Sequence, residues 1–481
     1  MLLIPKLDEN SHIPQYVQLL EYIKDEIVSG RLAEHTRLPS IRALADFLAL
    51  STTPVELAYS QLVAEGFIAS VPRKGYYVQH LPEPYLRLGS GAGDRPIQPH
   101  EASNRAAPAR DTKVYKYDFH MSNIDGSHFP FRVWRSLFHD ALRSGMEELL
   151  WYGDPQGEPG LRQEIATYLH QFRGVRCSPE QVVIGSDPHF LLSFLSRILI
   201  EHTDHIAVEN PGYLLCPSTF RQHGYRVTPV SLEEDGINLG ELYDSSARIV
   251  CVSPSHQFPR GMIMPIAKRL QLLEWARKTN GFIIEDDYDG ELRYYGRPIP
   301  SLQGLNPDAD VIYLGGFAQV LSPAIGVHYM VLPKSLLGDY QRMEHRTLFE
   351  QSASRWNQHA LQLFMERGHL EKHVRKMRNL YRQKHDRLIA SIHSYFGERA
   401  SIIGEDAGFH ILMRVDSSRT EQELIRLAGA ASIRLASASF TWLHPPVNGA
   451  LEFFIGFGGI PLERIEEGIR RLSEVWLDTL Q

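Results

Sequence analysis

Five short apolar runs, VVI at 182–184, HIAV at 205–208, IVCV at 249–252, FIIE at 282–285 and VIYL at 311–314, are separated by stretches with helical spacing. Runs of this length match strands buried on both faces, and helical crossovers between them favour parallel pairing. The spacing therefore predicts an α/β domain with a mainly parallel sheet. A long charged helix over 369–393 then leads into a smaller α/β lobe that runs to Gln481. No internal repeat is evident.

The first eighty residues follow a different pattern. Tyr16, Leu19, Leu20, Ile23 and Ile27 recur at helical spacing, which predicts an amphipathic helix over 14–29 that stops near Gly30. Leu38-Pro39-Ser40 opens a second helix carrying Ile41, Leu44 and Leu48. Ser51, Thr52 and Thr53 offer N-caps for a third, with Pro54 tolerated in its first turn and Val55, Ala58, Tyr59 and Leu62 on its apolar face. After Gly66, two short strands at 67–70 and 76–79 flank Val71-Pro72-Arg73-Lys74-Gly75. Three helices and a hairpin make a winged helix-turn-helix over 1–80. The Pro, Gly, Ser and Ala bias that follows predicts a linker over 81–116, with the α/β domain occupying 117–481.

At 481 residues, with 43% hydrophobic and 22% charged, the chain has ordinary globular composition. No apolar run approaches the ~20 residues of a membrane helix, so no membrane partner is expected. MLLIPKLDENSH is too short and acidic for a signal peptide, and Cys177, Cys216 and Cys251 are too few and too dispersed for a disulfide framework. Both features point to the cytoplasm. Net charge gives no hint of nucleic acid: it is -7 overall, and residues 1–80 hold seven lysines and arginines against nine aspartates and glutamates. Any DNA-binding role rests on where the charges sit.

Further motifs accompany these elements. The N-terminal part contains Gly30-Arg31, Arg37-Leu38-Pro39-Ser40, Arg42-Ala43-Leu44-Ala45 and Glu65-Gly66. The remainder contains Tyr152-Gly153-Asp154-Pro155, Gly160-Leu161-Arg162, Glu209-Asn210-Pro211-Gly212-Tyr213, SPSHQFP at 253–259, Glu285-Asp286-Asp287-Tyr288-Asp289, Leu321-Ser322-Pro323-Ala324 and Ala407-Gly408-Phe409-His410. In this order, over nearly the whole chain, they resemble the MocR-like branch of the GntR transcription factors. Those proteins join a winged helix-turn-helix to a fold-type I aminotransferase-like domain. The resemblance implies double-stranded DNA as partner, a homodimer built through the large domain, and a DNA-contacting set of Arg37, Ser40, Arg42, Ser51, Thr52, Thr53, Arg73 and Lys74. The family's third helix commonly starts Ser-Arg-x-Thr; here Ser51-Thr52-Thr53-Pro54 lacks the arginine suited to guanine. Binding is expected to lean on Thr52, Thr53, the wing and dimerisation.

The same resemblance implies a pyridoxal phosphate pocket of Asn210, Tyr213, His256, Asp286, Tyr288 and position 319. In such pockets a lysine amine forms the Schiff base and a carboxylate faces the pyridinium nitrogen. Asp286 supplies the carboxylate, but Gln319 stands at the lysine's place in VIYLGGFAQVLSPAIGVHYMVL. The phosphate end is altered too. Gly316 and Ala318 replace hydroxyl residues, Gly326 an arginine, and Gly185-Ser186-Asp187-Pro188-His189 sets a carboxylate and a donor-less proline at the helix N-terminus. The family's arginine for a substrate carboxylate would fall near Phe454 in FFIGF, where none stands. Asp286 and Asp287 also fit a merely structural strand end, and Arg260 is a cation available to Asp187 or to another anion. His369 and His373, four apart, suit a solvated helix face better than a metal, and no nucleophile elbow surrounds Ser253 or Ser255.

The expectation is therefore a regulator, not an enzyme. Its aminotransferase-like domain acts as sensor or scaffold without covalent pyridoxal phosphate. The alternatives are non-covalent binding of that cofactor or another small effector, an active aminotransferase, and a scaffold that has lost DNA binding. No catalytic residue and no metal ligand is assigned.

Overall fold

The structure is a computed structural model that describes residues 5, 7–8, 11, 13–81, 114–142, 147–294, 298–344, 352–405, 407–445 and 450–477. The chain divides into two compact units, Met1–Thr112 and Lys113–Gln481.

In the first unit, α1 (Gln15–Val28) buries Leu19, Leu20, Ile23 and Ile27, the stripe that its spacing predicts. Ser40 caps α2 (Ile41–Leu48) by accepting from the Ala43 amide at 3.2 Å. Ser51 takes the N-cap position of α3 (Thr52–Ala64) without a side-chain bond. The α3 face Val55, Ala58, Tyr59 and Leu62 is buried, and the Tyr59 hydroxyl donates to the Pro39 carbonyl at 3.0 Å, tying α3 to the entry of α2. The strands β1 (Ile68–Val71) and β2 (Gly75–Val78) pair antiparallel, Ile68 opposite Val78 and Val71 opposite Gly75. Arg73 turns the wing at a φ of 62°.

Residues 82–113 of the expected linker lie outside the described residues. Lys116, which the sequence reading places in that linker, is instead tied to the second unit. Its amide donates to Ser432 Oγ at 2.9 Å and its Nζ to Glu467 at 3.0 Å. The adjoining β3 (Tyr117–Asp118) pairs with a strand of the C-terminal lobe.

The large sheet comprises β4 (Val182–Gly185), β5 (His205–Asn210), β6 (Arg226–Glu233), β7 (Gly236–Ile237), β8 (Ile249–Val252), β9 (Phe282–Asp286), β10 (Val311–Gly316) and β11 (His328–Val331). Their order is β4-β11-β10-β9-β8-β5-β6-β7, parallel from β10 through β6 and antiparallel at both edges. All five apolar runs become strands of this sheet. β6 and β11 were not singled out in the sequence: β6 carries Pro229 and is half-exposed, and β11 follows β10 closely.

The smaller lobe contains β12 (Ala400–Ile403), β13 (His410–Val415), β14 (Ile433–Arg434), β15 (Ala436–Ser437) and β16 (Leu451–Gly456). Four of them form an antiparallel sheet ordered β12-β13-β16-β15, and β14 pairs with β3. The helix His369–Phe396 buries Leu370, Val374, Met377, Tyr381, Leu388 and Ile392. Among the described residues no helix is long and apolar enough to cross a membrane.

Candidate functional site

Residues at the C-terminal ends of β8, β9 and β10, with the segment after β5, line a cavity of about 400 Å³. That end of an open α/β sheet is where ligands bind. Four of the six nominated pocket residues, Tyr213, Asp286, Tyr288 and Gln319, line it. Asp286 sits at the end of β9 with no hydrogen bond to its carboxylate from any described residue. Burial pushes its pKa up to about 7, with Asp287 and Asp289 adding to the rise.

The other two nominated residues are placed elsewhere. Asn210 accepts from the Leu443 amide at 2.8 Å and donates to the His444 carbonyl at 3.3 Å, so it clamps the smaller lobe rather than lining the cavity. His256 is buried behind the wall, its Nδ1 2.8 Å from Asp289 Oδ2 and 3.0 Å from the Tyr288 hydroxyl, where it positions Tyr288. The local sequence gives both residues the right motif, but only the tertiary partners decide which way they face.

The acidic run after β9 divides by role. Glu285 accepts from the Leu302 and Gln303 amides at 2.8 and 3.2 Å. Asp287 is bound by Arg173 Nε at 2.6 Å and by the Tyr313 hydroxyl. Both are therefore structural, and Asp286 alone of the three opens on the cavity.

The helix Pro188–Leu199, whose first turn lines the cavity, starts with its own acid as cap. Asp187 Oδ1 accepts from the Phe190 amide at 2.8 Å and Oδ2 from Ser186 Oγ at 2.6 Å. These bonds, foremost Ser186, hold its carboxyl below its usual range despite burial. Pro188 at the first position brings no N–H. At this helix start, Asp187 therefore takes up the Phe190 amide and Pro188 offers none. Gly316 and Ala318 line the cavity without hydroxyls, and a Cβ on Gly316 would overlap the His328 ring. Gly326 sits in the left-handed region at φ 62°. No described lining residue is a lysine or an arginine.

Arg260 is not near Asp187 in role: its Nη1 binds Glu452 at 2.7 Å and its guanidinium lies over the Trp442 ring. Phe454, near which the resemblance expects a substrate-binding arginine, is fully buried and stacks on Phe258 at 5.4 Å with rings 12° apart. His373 also departs from the sequence reading. It is buried and its Nε2 lies 2.7 Å from the Val320 carbonyl, fixing the loop next to Gln319, so it belongs to no solvated face. Among the described residues no cluster suited to a metal ion occurs.

Sequence reasoning did not single out Leu191, Leu192, Cys216, Cys251, Phe440, His120 and His328 as wall residues. Phe258 and Phe409 lie inside quoted motifs and were legible as neighbours of the pocket. His120 comes from a segment near the start of the second unit that carries no motif.

Four buried carboxyls give this unit a pH signature. Burial pushes Glu209 up to about 8, and Glu285, Asp286 and Glu291 up to about 7. A group that holds its proton more tightly when folded stabilises the fold at low pH and loses that contribution as pH rises through its folded pKa. Buried His205, His373 and His410 and half-buried His120 and His328 act oppositely, but only below their ordinary value of 6.5. The melting temperature of the second unit is expected to fall by roughly 5 °C between pH 6.5 and 8. Calorimetry across that interval checks it; a flat or rising profile contradicts the assignment.

In the first unit, Arg37, Ser40, Arg42, Ser51, Thr52, Thr53, Arg73 and Lys74 are all exposed. Lys24 is paired with Glu21 and Glu65, and Arg31 with Glu26. Arg37, Arg42, Arg73 and Lys74 form no ion pair with any described residue. The negative sum of this unit therefore hides an asymmetry: its acids neutralise cations elsewhere and leave these four available.

The description "Bacterial regulatory proteins, gntR family" matches residues 15–78, and "Aminotransferase class I and II" matches residues 118–438. The chain is 38% identical over 474 residues to the HTH-type transcriptional regulator YdeL of Bacillus subtilis, covering 98% of this chain and 99% of that one. It is 32% identical to the probable rhizopine catabolism regulatory protein MocR of Rhizobium meliloti, over 98% of this chain and 95% of the other. The chain belongs to the MocR-like branch of the GntR regulators. Its second unit has the aminotransferase fold: a kynurenine aminotransferase of Pyrococcus horikoshii superposes with a TM-score of 0.68 at 22% identity, over 77% of this chain and 92% of that one. For a MocR-like protein, the exposed unpaired cations on the winged unit and the cavity in the aminotransferase-like unit are the two places where function is to be sought.

Proposed function

We propose that this MocR-like regulator is a cytoplasmic homodimer that binds double-stranded DNA through its winged unit and uses the aminotransferase-like unit as sensor or scaffold without covalent pyridoxal phosphate. The observation that carries the reading is Gln319: it lines the cavity, stands in the sequence pattern where the resemblance expects the Schiff-base lysine, and its amide nitrogen is not a nucleophile. The residues present do not fit the cofactor. Asp286 and Tyr288 suit its ring, but Pro188, Gly316, Ala318 and Gly326 supply no side-chain or N–H donor where the family holds the phosphate, and Asp187 brings a carboxylate to the start of the same helix. A carboxylate and a phosphate held about 4 Å apart would repel by about 4 kcal/mol at an effective dielectric of ~20. The homodimer is supported by one segment of the large unit, where Leu150, Trp151 and Tyr152 are 71%, 74% and 74% exposed. Contiguous apolar exposure of this kind marks an interaction surface.

Adding pyridoxal phosphate to purified protein is expected to give neither a visible aldimine band nor a borohydride-reducible adduct on a lysine of the cavity. Either signal, saturable at micromolar cofactor, overturns the reading.

A further inference from the structure

The charge inventory of the cavity is one-sided. Asp286 is its acid, and neither lysine nor arginine appears among the described lining residues. The two histidines there do not restore balance. Burial lowers the pKa of both His120 and His328, which disfavours their charged forms. Their Nδ1 atoms are engaged within the chain, His120 with Ser122 Oγ at 2.6 Å and His328 with the Ser186 carbonyl at 3.2 Å. Anions would meet no cation inside, whereas a cation would meet Asp286, whose carboxyl no described residue hydrogen-bonds and whose ionised form a bound cation favours.

The walls fit the same conclusion. Phe258 stands nearly perpendicular to Tyr213 at 5.8 Å and 79°, and to Tyr288 at 6.0 Å and 90°. Phe409 continues the set, edge-on to Tyr288 at 6.5 Å and 87°. All four rings line the cavity. Faces of aromatic rings carry negative potential and attract cations, most strongly where water is excluded. At about 400 Å³ the space suits a small organic molecule rather than a hydrated ion.

We propose that the cavity binds a phosphate-free organic cation, a protonated amine on an aromatic or apolar body, with the nitrogen on Asp286 and the body among Tyr213, Phe258, Tyr288 and Phe409. This rests on the reading that the unit does not hold pyridoxal phosphate covalently. It adds what the site selects: positive charge, and absence of phosphate.

The test uses the full-length protein and two matched probe sets in titration calorimetry, phenethylamine against 3-phenylpropionate and 2-phenylethanol, and pyridoxamine against pyridoxamine 5′-phosphate. Phenethylamine is expected to bind at least tenfold more tightly than 3-phenylpropionate, and pyridoxamine at least tenfold more tightly than its phosphate. Asp286→Asn should lower phenethylamine affinity at least tenfold and leave 2-phenylethanol unchanged. Phe258→Leu should also favour the alcohol over the amine relative to wild type, which keeps the test independent of one variant's folding. Tighter binding of 3-phenylpropionate or of the phosphate, or Asp286→Asn without effect, overturns the proposal. Failure of all amines to bind while pyridoxal phosphate forms no aldimine overturns this inference and leaves the underlying reading intact. An aldimine with pyridoxal phosphate overturns both.

Discussion

Replacing Arg42, Arg73 and Lys74 together with alanine is expected to weaken duplex binding by several hundred-fold at ~0.1 M salt and to flatten its salt dependence by about 2.7 in log–log slope per winged unit. Each phosphate contact releases about 0.9 of a condensed counterion, so each lost contact reduces the slope by that amount. The three side chains are chosen because they are exposed, lie on α2 and the wing turn, and have no ion-pair partner among the described residues. The turn keeps its shape, since Lys74 still donates its backbone N–H to the Val71 carbonyl at 3.0 Å. A control with Lys24 and Arg31 replaced should change the slope little, because these are already paired with Glu65 and Glu26. Fluorescence anisotropy with upstream duplex, titrated at several salt concentrations, reads both quantities. Unchanged affinity and slope in the triple variant would mean that DNA meets another face or is not bound.

What the sequence made legible follows from how local each determinant is. Strand runs such as VIYL at 311–314 and the α1 stripe carry their pattern within a few residues, so their type and place were readable. Asp286 and Tyr288 were legible as a pair because side chains alternate at a strand's end, setting these two on one side and Glu285 and Asp287 on the other. Asn210, His256, Arg260 and His373 were not, because each is oriented by a partner far away in sequence: Leu443 with His444, Asp289, Glu452 and Val320 respectively. The cavity's apolar character was half-legible. The positions that depart from the family's phosphate-binding pattern were countable one by one. That aromatic rings close around Asp286 depends on segments near residues 213, 258, 288 and 409 converging, which no local pattern records.

Gln319→Lys alone is expected to fail to recover tight aldimine formation. The substitution returns the amine but none of the phosphate donors. Charge-assisted hydrogen bonds to a phosphate contribute about 1.5–3 kcal/mol each, so several missing ones remove orders of magnitude of affinity. The structure also sets the order of difficulty among the repairs. Asp187→Gly frees the amide of Phe190 and removes the opposing carboxylate, and it is the simplest. Gly326→Arg finds room, its Cβ meeting nothing nearer than the Ser186 carbonyl at 3.8 Å, but it must hold φ at 62°. A left-handed non-glycine residue costs about 1–2 kcal/mol, less than one regained phosphate bond at its upper range. Gly316→Thr is the hardest, because its Cβ would overlap His328, so a hydroxyl there needs His328 replaced as well. The triple variant Gln319→Lys, Asp187→Gly, Gly326→Arg is therefore expected to bind pyridoxal phosphate at least a hundredfold more tightly than the single one, about 2.7 kcal/mol. Absorbance titration of both variants decides this. Tight, saturable aldimine formation in Gln319→Lys alone would show that the phosphate end still works and that the pocket has lost only its lysine.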